Sequence, residues 1–297
     1  MRRIAVINQK GGVGKTTTVC NLGVALAARR KKVLTIDLDP QAHLTLHFGA
    51  EPGTDRPSVY DVLVRGTPLD NATLKIRKNV WLVPSHTRLA GAEAELVSAV
   101  GRDVLLRDAV VDSRRKYDVV LIDCPPSLGV LTLNGLAAAN EVIIPLQAHF
   151  LGLQGMGKLL ETITLVQRRI NSDLQVGGVV LCMFEAGTKL ATEVVDDLRR
   201  FLDDARGTNV PWAQARLFDA VIRRNIKLAE CPSYGLSIFD YEPHCNGALD
   251  YARLAVEVLG AAEASAPTQP AETADAAAPA MRIDTQDARD SSIANIA

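Results

Sequence analysis

The sequence predicts an α/β fold, doubly wound, with a mostly parallel twisted sheet and helices on both faces. Three observations carry this reading. Short β-branched runs alternate along the chain with longer helical patterns. The runs lack polar alternation, as expected of strands covered on both faces. A glycine-rich loop stands directly between the first run and the first helical segment, where such a fold binds phosphates.

In chain order the strand runs are "IAVI" (4–7), "VLTID" (33–37), "VWLVP" (80–84), "DVVLID" (118–123), "EVIIPL" (141–146) and "VGGVVLCM" (176–183). Helix-length patterns occupy 15–30, 102–115, 155–170, 188–204 and 247–259. Strand, helix, strand repeated through one chain calls for right-handed crossovers. Neither an internal repeat nor a linker interrupts 1–260, so a single domain is expected there. Residues 261–297 are rich in Ala, Pro, Thr and acids and lack aromatics. That composition buries too little surface to offset chain entropy, and the expectation is a disordered tail.

The bulk numbers exclude several classes. At 297 residues and 47% hydrophobic content the chain can build a sizeable core. No run of about 18 apolar residues occurs, and Met1-Arg2-Arg3 leads straight into a strand pattern rather than a signal peptide. A cytoplasmic protein without a membrane partner is expected. The five cysteines, Cys20, Cys124, Cys182, Cys231 and Cys245, are scattered and form no C-x-x-C pair, which excludes a disulfide framework and a zinc knuckle. The net charge of −1 argues against a strongly basic nucleic-acid module. Six acids and two arginines lie beyond residue 260, however, so the body is mildly basic. With 4% aromatic residues, base stacking on single strands is not expected.

The chemistry concentrates at strand ends. "NQKGGVGKTT" (8–17) follows the first run, and a P-loop pattern laid over 9–16 finds Gly14, Lys15 and Thr16 in place, with Gln9 at the first glycine position and an extra Lys10 beside it. Gly11, Gly12, Val13 and Gly14 bring backbone N–H groups and a helix N-terminus to a polyphosphate. Lys15 reaches the β and γ phosphates, the Thr16 hydroxyl ligates magnesium, and Thr17 is placed at an α phosphate. "DLDPQ" follows the second run with Asp37 and Asp39, and "DCPPS" follows the fourth with Asp123, the Walker B position for Mg²⁺. A strand-ending carboxylate can also simply cap the next helix, and Asp37 suits that role best of the three.

The residues resemble a family at four separated places: "KGGVGKTT" (10–17), "DLDPQ" (37–41), "LIDCPPSLGVLTLNGL" (121–136) and "RNIKLAECPSYG" (224–235). They look like the ParA/Soj partition ATPases, within the deviant Walker A group of P-loop NTPases that also contains MinD. The resemblance spans roughly 2–259. It implies a partner-stimulated ATP hydrolase using ATP and Mg²⁺, which forms an ATP-bridged homodimer. It further implies nonspecific binding to double-stranded DNA, nucleoid association, a ParB-like activating partner, and transport of a chromosome, plasmid or protein cargo.

By the same resemblance Lys10 reaches across the dimer to the partner's ATP, and Gly12 lies where the two loops nearly touch. Asp39 orients or polarises the attacking water and adjoins the metal. Arg224, Asn225 and Pro232 are candidates for the adenine pocket. Arg199, Arg200, Arg223 and Arg224 are the candidates for phosphate-backbone contact. The chain departs from the family pattern at Gly187, His244 and Asn246, where arginines are common, and at Arg223, where proline is usual. Two other readings stand beside this one. A MinD-like membrane-surface ATPase would need a basic amphipathic C-terminal helix, which "SSIANIA" does not supply. A metabolic ligase of the dethiobiotin-synthetase-like fold would have no use for Lys10.

Overall fold

A computed structural model describes residues 1–260, except 54, 55, 149, 186 and 188. The strands are β1 (Arg2–Val6), β2 (Val33–Asp37), β3 (Leu74–Arg77), β4 (Val80–Val83), β5 (Val119–Asp123), β6 (Glu141–Leu146), β7 (Gln175–Phe184), β8 (Arg216–Leu217) and β9 (Ile222–Arg223). They form one sheet in the order β3-β4-β2-β5-β1-β6-β7-β8, with β9 also on β7. Every pairing is parallel except β3–β4. The expected tail at 261–297 lies outside the described residues.

Period-two alternation splits the central strands between two cores, because successive side chains point to opposite faces. Ala5, Leu34, Ile36, Val120, Ile122, Val142 and Ile144 pack on one face, beneath helices that include Val59–Arg65, Val130–Ala138 and Phe150–Arg169. Ile4, Val6, Val33, Val119, Leu121 and Ile143 pack on the other, beneath the helices Lys15–Ala28 and Asn246–Leu259. Both faces being apolar explains why the runs show no polar alternation.

The six sequence-read strands correspond to β1, β2, β4, β5, β6 and β7. Three short strands escaped that reading. β3 is half-exposed and reads "LKIR"; it is held antiparallel by the turn at Lys78-Asn79, where Asn79 takes φ +61°. β8 and β9 are two residues each, below any periodic signal. The helix Val130–Ala138 was also unread, since seven of its nine residues are buried and no polar stripe marks it.

β1 and β5 are neighbours, yet their outgoing chains diverge. β1 leads past β5 to β2, over one face; β5 leads past β1 to β6, over the other. Such a divergence opens a crevice at the strand carboxyl ends.

The short helix His43–His47 beside this crevice carries His47, 1% exposed, whose ring Nε2 lies 3.5 Å from the Cys231 sulfur. Burial lowers its pKa from 6.5 to about 4, opposed by a hydrogen bond to the Leu236 backbone. The folded state therefore holds the ring neutral, while the unfolded chain takes up the proton first. This contribution is complete above about pH 6.5 and is lost as pH falls from there towards 4, by at most about 3 kcal/mol. In chemical denaturation, His47→Gln is expected to flatten the wild-type fall in stability across that window.

Candidate functional site

The glycine loop is fixed before any ligand arrives. Asn8 donates through Nδ2 to the Pro145 carbonyl (2.8 Å) at the end of β6, and its Oδ1 accepts from the Lys10 N–H (2.9 Å). Gly12 and Gly14 adopt φ +71° and +92°, a region that a side-chain-bearing residue enters only with strain. A Cβ at Gly11 or Gly12 would meet nothing within 4 Å, so the space above the loop is open. Helix Lys15–Ala28 starts at Gly14 with no side-chain cap, leaving its first N–H groups for an anion. Val13 is 1% exposed and packs inward.

Lys15 is 7% exposed, and its Nζ donates to the Lys10 carbonyl (3.1 Å), holding the ammonium inside the loop. Burial lowers its pKa, and the charges of Asp123 and Asp39 oppose that shift. A buried ammonium whose hydrogen-bond partner is a neutral carbonyl is well placed to take an anion.

The β1–β5 register pairs Val6 with Asp123, so the residue ending β5 lies beside the start of the loop. The Thr16 hydroxyl donates to Asp123 Oδ2 (2.7 Å). The other oxygen, Oδ1, is buried and has no hydrogen-bond partner. Burial, then the neighbouring Asp37, raises the Asp123 pKa well above the carboxylate range. A buried carboxylate with one orphaned oxygen next to a hydroxyl is an oxygen-donor set suited to a hard divalent cation. Thr16 and Asp123 fit Mg²⁺, which when bound neutralises phosphate charge.

Asp37 and Asp39 play different parts. Both Asp37 oxygens are consumed within the protein, accepting from the Asp39 N–H (3.1 Å), the Thr45 N–H (2.8 Å) and the Thr45 hydroxyl (2.7 Å). Asp37 is thus the anchor of the following loop, and burial raises its pKa to about 7. Asp39 lines the cleft; its Oδ1 accepts from the Gln41 N–H (2.9 Å), and its main-chain carbonyl accepts from the Ser85 hydroxyl (2.7 Å).

The cleft measures about 1470 Å³. Gly11, Gly12, Gly14, Lys15, Thr16 and Thr17 line it together with Arg224, Asn225 and Pro232. The Asn225 side chain caps helix Ile226–Glu230 by accepting from the Lys227 N–H (2.9 Å), so that part of the lining is anchored. Lys10, between the glycine loop and Asn8, is exposed, its Nζ 3.4 Å from Gln147 Oε1.

The four arginines singled out for DNA are each partnered by an acid. Arg223 forks onto the buried Asp250 (2.6 Å), a contact that ties β9 to the last helix. Arg224 meets Glu185 (3.2 Å), Arg199 meets Asp196 (3.7 Å), and Arg200 meets Asp197, all at the surface. Sequence reasoning missed Asn8, Gln147 and the buried Asn21, which donates to the Thr17 carbonyl (2.9 Å). Of these only Asn8 carried a signal, as a turn-forming residue before a glycine run.

Fold and site together define a P-loop ATPase that works with Mg²⁺. Comparison with known proteins agrees. The AAA domain family matches residues 1–176. The sporulation initiation inhibitor protein Soj of Bacillus subtilis is 41% identical over 256 residues, 86% of this chain and 97% of that protein. The chromosome partitioning protein ParA of Caulobacter vibrioides is 40% identical over 262 residues, 87% and 94% of the two chains. Among solved structures, a Mycobacterium smegmatis protein described as cobyrinic acid a,c-diamide synthase, bound to an ATP analogue and magnesium, superposes with TM-score 0.73 at 36% identity, covering 92% of this chain and all of that one. The chain belongs to the ParA/Soj family and is an ATP hydrolase.

Lys15→Ala is expected to abolish measurable ATP binding in a titration with a fluorescent analogue. Asp123→Asn should remove the magnesium dependence of binding while leaving the fold intact by circular dichroism.

Proposed function

We propose that this ATPase is a nucleotide-gated dimer: two ATP-loaded copies join face to face, bind duplex DNA without sequence preference, and separate when a partner stimulates hydrolysis, moving a chromosome, plasmid or protein cargo. The observation that carries the reading is Lys10. The interior of the phosphate loop already has its ammonium in Lys15, whereas Lys10 stands exposed, and among the described residues its Nζ donates to a neutral amide oxygen at 3.4 Å. Two triphosphates brought together repel strongly, and a lysine from each side offsets that repulsion only when both copies are loaded. The names of the Bacillus and Caulobacter relatives, which concern sporulation initiation and chromosome partitioning, support the cellular role.

Within this reading Asp39 orients the attacking water, and Arg224 with Arg199 and Arg200 contacts the phosphate backbone. The acid partners of those arginines reduce their net charge, so any DNA affinity should be modest and salt-sensitive. No helix among the described residues is long and apolar enough to cross a membrane. The proposal also extends to the domain limits, 1–260 for the ATPase and 261–297 for a tail.

Lys10→Ala is expected to bind ATP yet stay monomeric by light scattering; a dimer would contradict the cross-subunit role. Gly12→Val is a poorer probe, because φ +71° strains any β-branched residue there whatever the oligomer. Asp39→Ala should dimerise and persist, since hydrolysis rather than binding fails. Gel shifts of duplex DNA should show binding with ATP and not with ADP. Arg224→Glu should lower the log–log salt slope by about 0.9 for the lost phosphate contact.

A further inference from the structure

The segment that follows Asp39 and the turn whose Pro232 and Ser233 line the cleft touch through bare backbone. Gly49 (φ +69°) and Gly235 (φ +65°) sit back to back. A Cβ on Gly235 would lie 2.6 Å from Gly49 Cα and 3.1 Å from Gly49 N; one on Gly49 would lie 3.3 Å from the Gly235 carbonyl oxygen. The spacing demands glycine at 235 and is tight at 49, and the left-handed backbone favours glycine at both. Such a contact has no flexible side chain to absorb a displacement, so a shift of one backbone moves the other.

On one side of the contact, short hydrogen bonds lead to Asp39. Gly49 N–H donates to the Leu46 carbonyl (2.9 Å), Leu46 N–H to the Ala42 carbonyl (3.0 Å), and Ala42 N–H to the Asp39 carbonyl (2.9 Å). Ala42 itself takes φ +55°, a strained conformation for a residue with a Cβ. On the other side, Gly235 N–H donates to the Pro232 carbonyl (3.0 Å), and Pro232 and Ser233 line the cleft. Two further ties run in parallel. The His47 ring lies against the Cys231 sulfur at 3.5 Å. Asn21 accepts from the Ile238 N–H (2.8 Å) and donates to the Thr17 carbonyl (2.9 Å), joining the same turn to the phosphate end.

We infer that Gly49 and Gly235, with His47, are positioning residues through which the base-side wall sets Asp39, so that full-rate hydrolysis requires a base seated against Pro232 and not only a bound triphosphate. The inference rests on the proposed function of Asp39 and on the candidacy of Pro232 for the adenine pocket. It makes base occupancy a condition for turnover. A polyphosphate that fills the glycine loop alone would be held without being cut efficiently.

The test is steady-state hydrolysis of ATP and of inorganic tripolyphosphate by the full chain with Mg²⁺, each at saturation. Wild type should turn over ATP on the order of tenfold or more faster than tripolyphosphate, the scale expected when a positioning contact is displaced by about an ångström. Gly235→Ala should lower kcat for ATP towards the tripolyphosphate rate with KM nearly unchanged. Gly66→Ala serves as the control: it has the same left-handed backbone (φ +66°) but no atom within 4 Å of the added Cβ, and kcat should hold. Cys231→Ala adds no bulk and should give a smaller loss of kcat. It keeps the test decisive if Gly235→Ala does not fold. Equal wild-type turnover of the two substrates would overturn the inference, as would unchanged kcat with raised KM in the variants. Asp39→Ala hydrolysing ATP as fast as wild type would instead overturn the reading of Asp39.

Discussion

The arrangement depends on one piece of register: β1 lies parallel to β5 with Val6 opposite Asp123. Parallel pairing brings both strands to the same edge, and the pairing of Val6 puts the end of β5 beside the start of the glycine loop. From that single alignment follow the bond from Thr16 to Asp123, the orphaned carboxylate oxygen beside it, and the pull of Asp123 and Asp39 on the Lys15 ammonium. A register slip would carry Asp123 away from Thr16, and the oxygen-donor pair would not exist.

The site is electrostatically incomplete by construction. Asp37 and Asp123 are buried at adjacent strand ends in register, and each is pushed towards protonation by burial and by the other acids nearby. Asp37 is compensated from inside by Thr45 and the Asp39 N–H, whereas Asp123 is compensated on one oxygen only. Protein that leaves such a group half-satisfied is poised for an external cation, and Mg²⁺ with a triphosphate supplies both the missing positive charge and the anion that Lys15 and the helix N-terminus face.

The architecture was legible in the apolar runs because both sheet faces are buried, and the glycine loop with Lys15 and Thr16 was legible because its spacing lies along one segment, whereas Asp123 was marked only by closing an apolar strand. Contacts between distant segments that no motif marks were not legible. Asn8 acts through Pro145, Asn21 through Ile238, and Gly49 through Gly235, partners more than a hundred residues apart. The arginine doublets illustrate the same limit in reverse. Read alone they look like free cations, but Arg223 is committed to Asp250, and Arg199 and Arg200 to acids one helical turn away. A two-residue strand such as β9 has no periodicity to read, yet it holds the wall that Arg224 and Asn225 extend.

What separates this loop from an ordinary phosphate cradle is a second, exposed lysine, Lys10, whose amine meets a neutral amide rather than the loop interior that Lys15 occupies. The most direct measurement is a crystal structure with Mg²⁺ and a non-hydrolysable ATP analogue. The expected result is Lys10 Nζ withdrawn from Gln147 and placed against the phosphates held by a facing copy. Lys10 remaining on Gln147, or turning to its own nucleotide, would contradict the account.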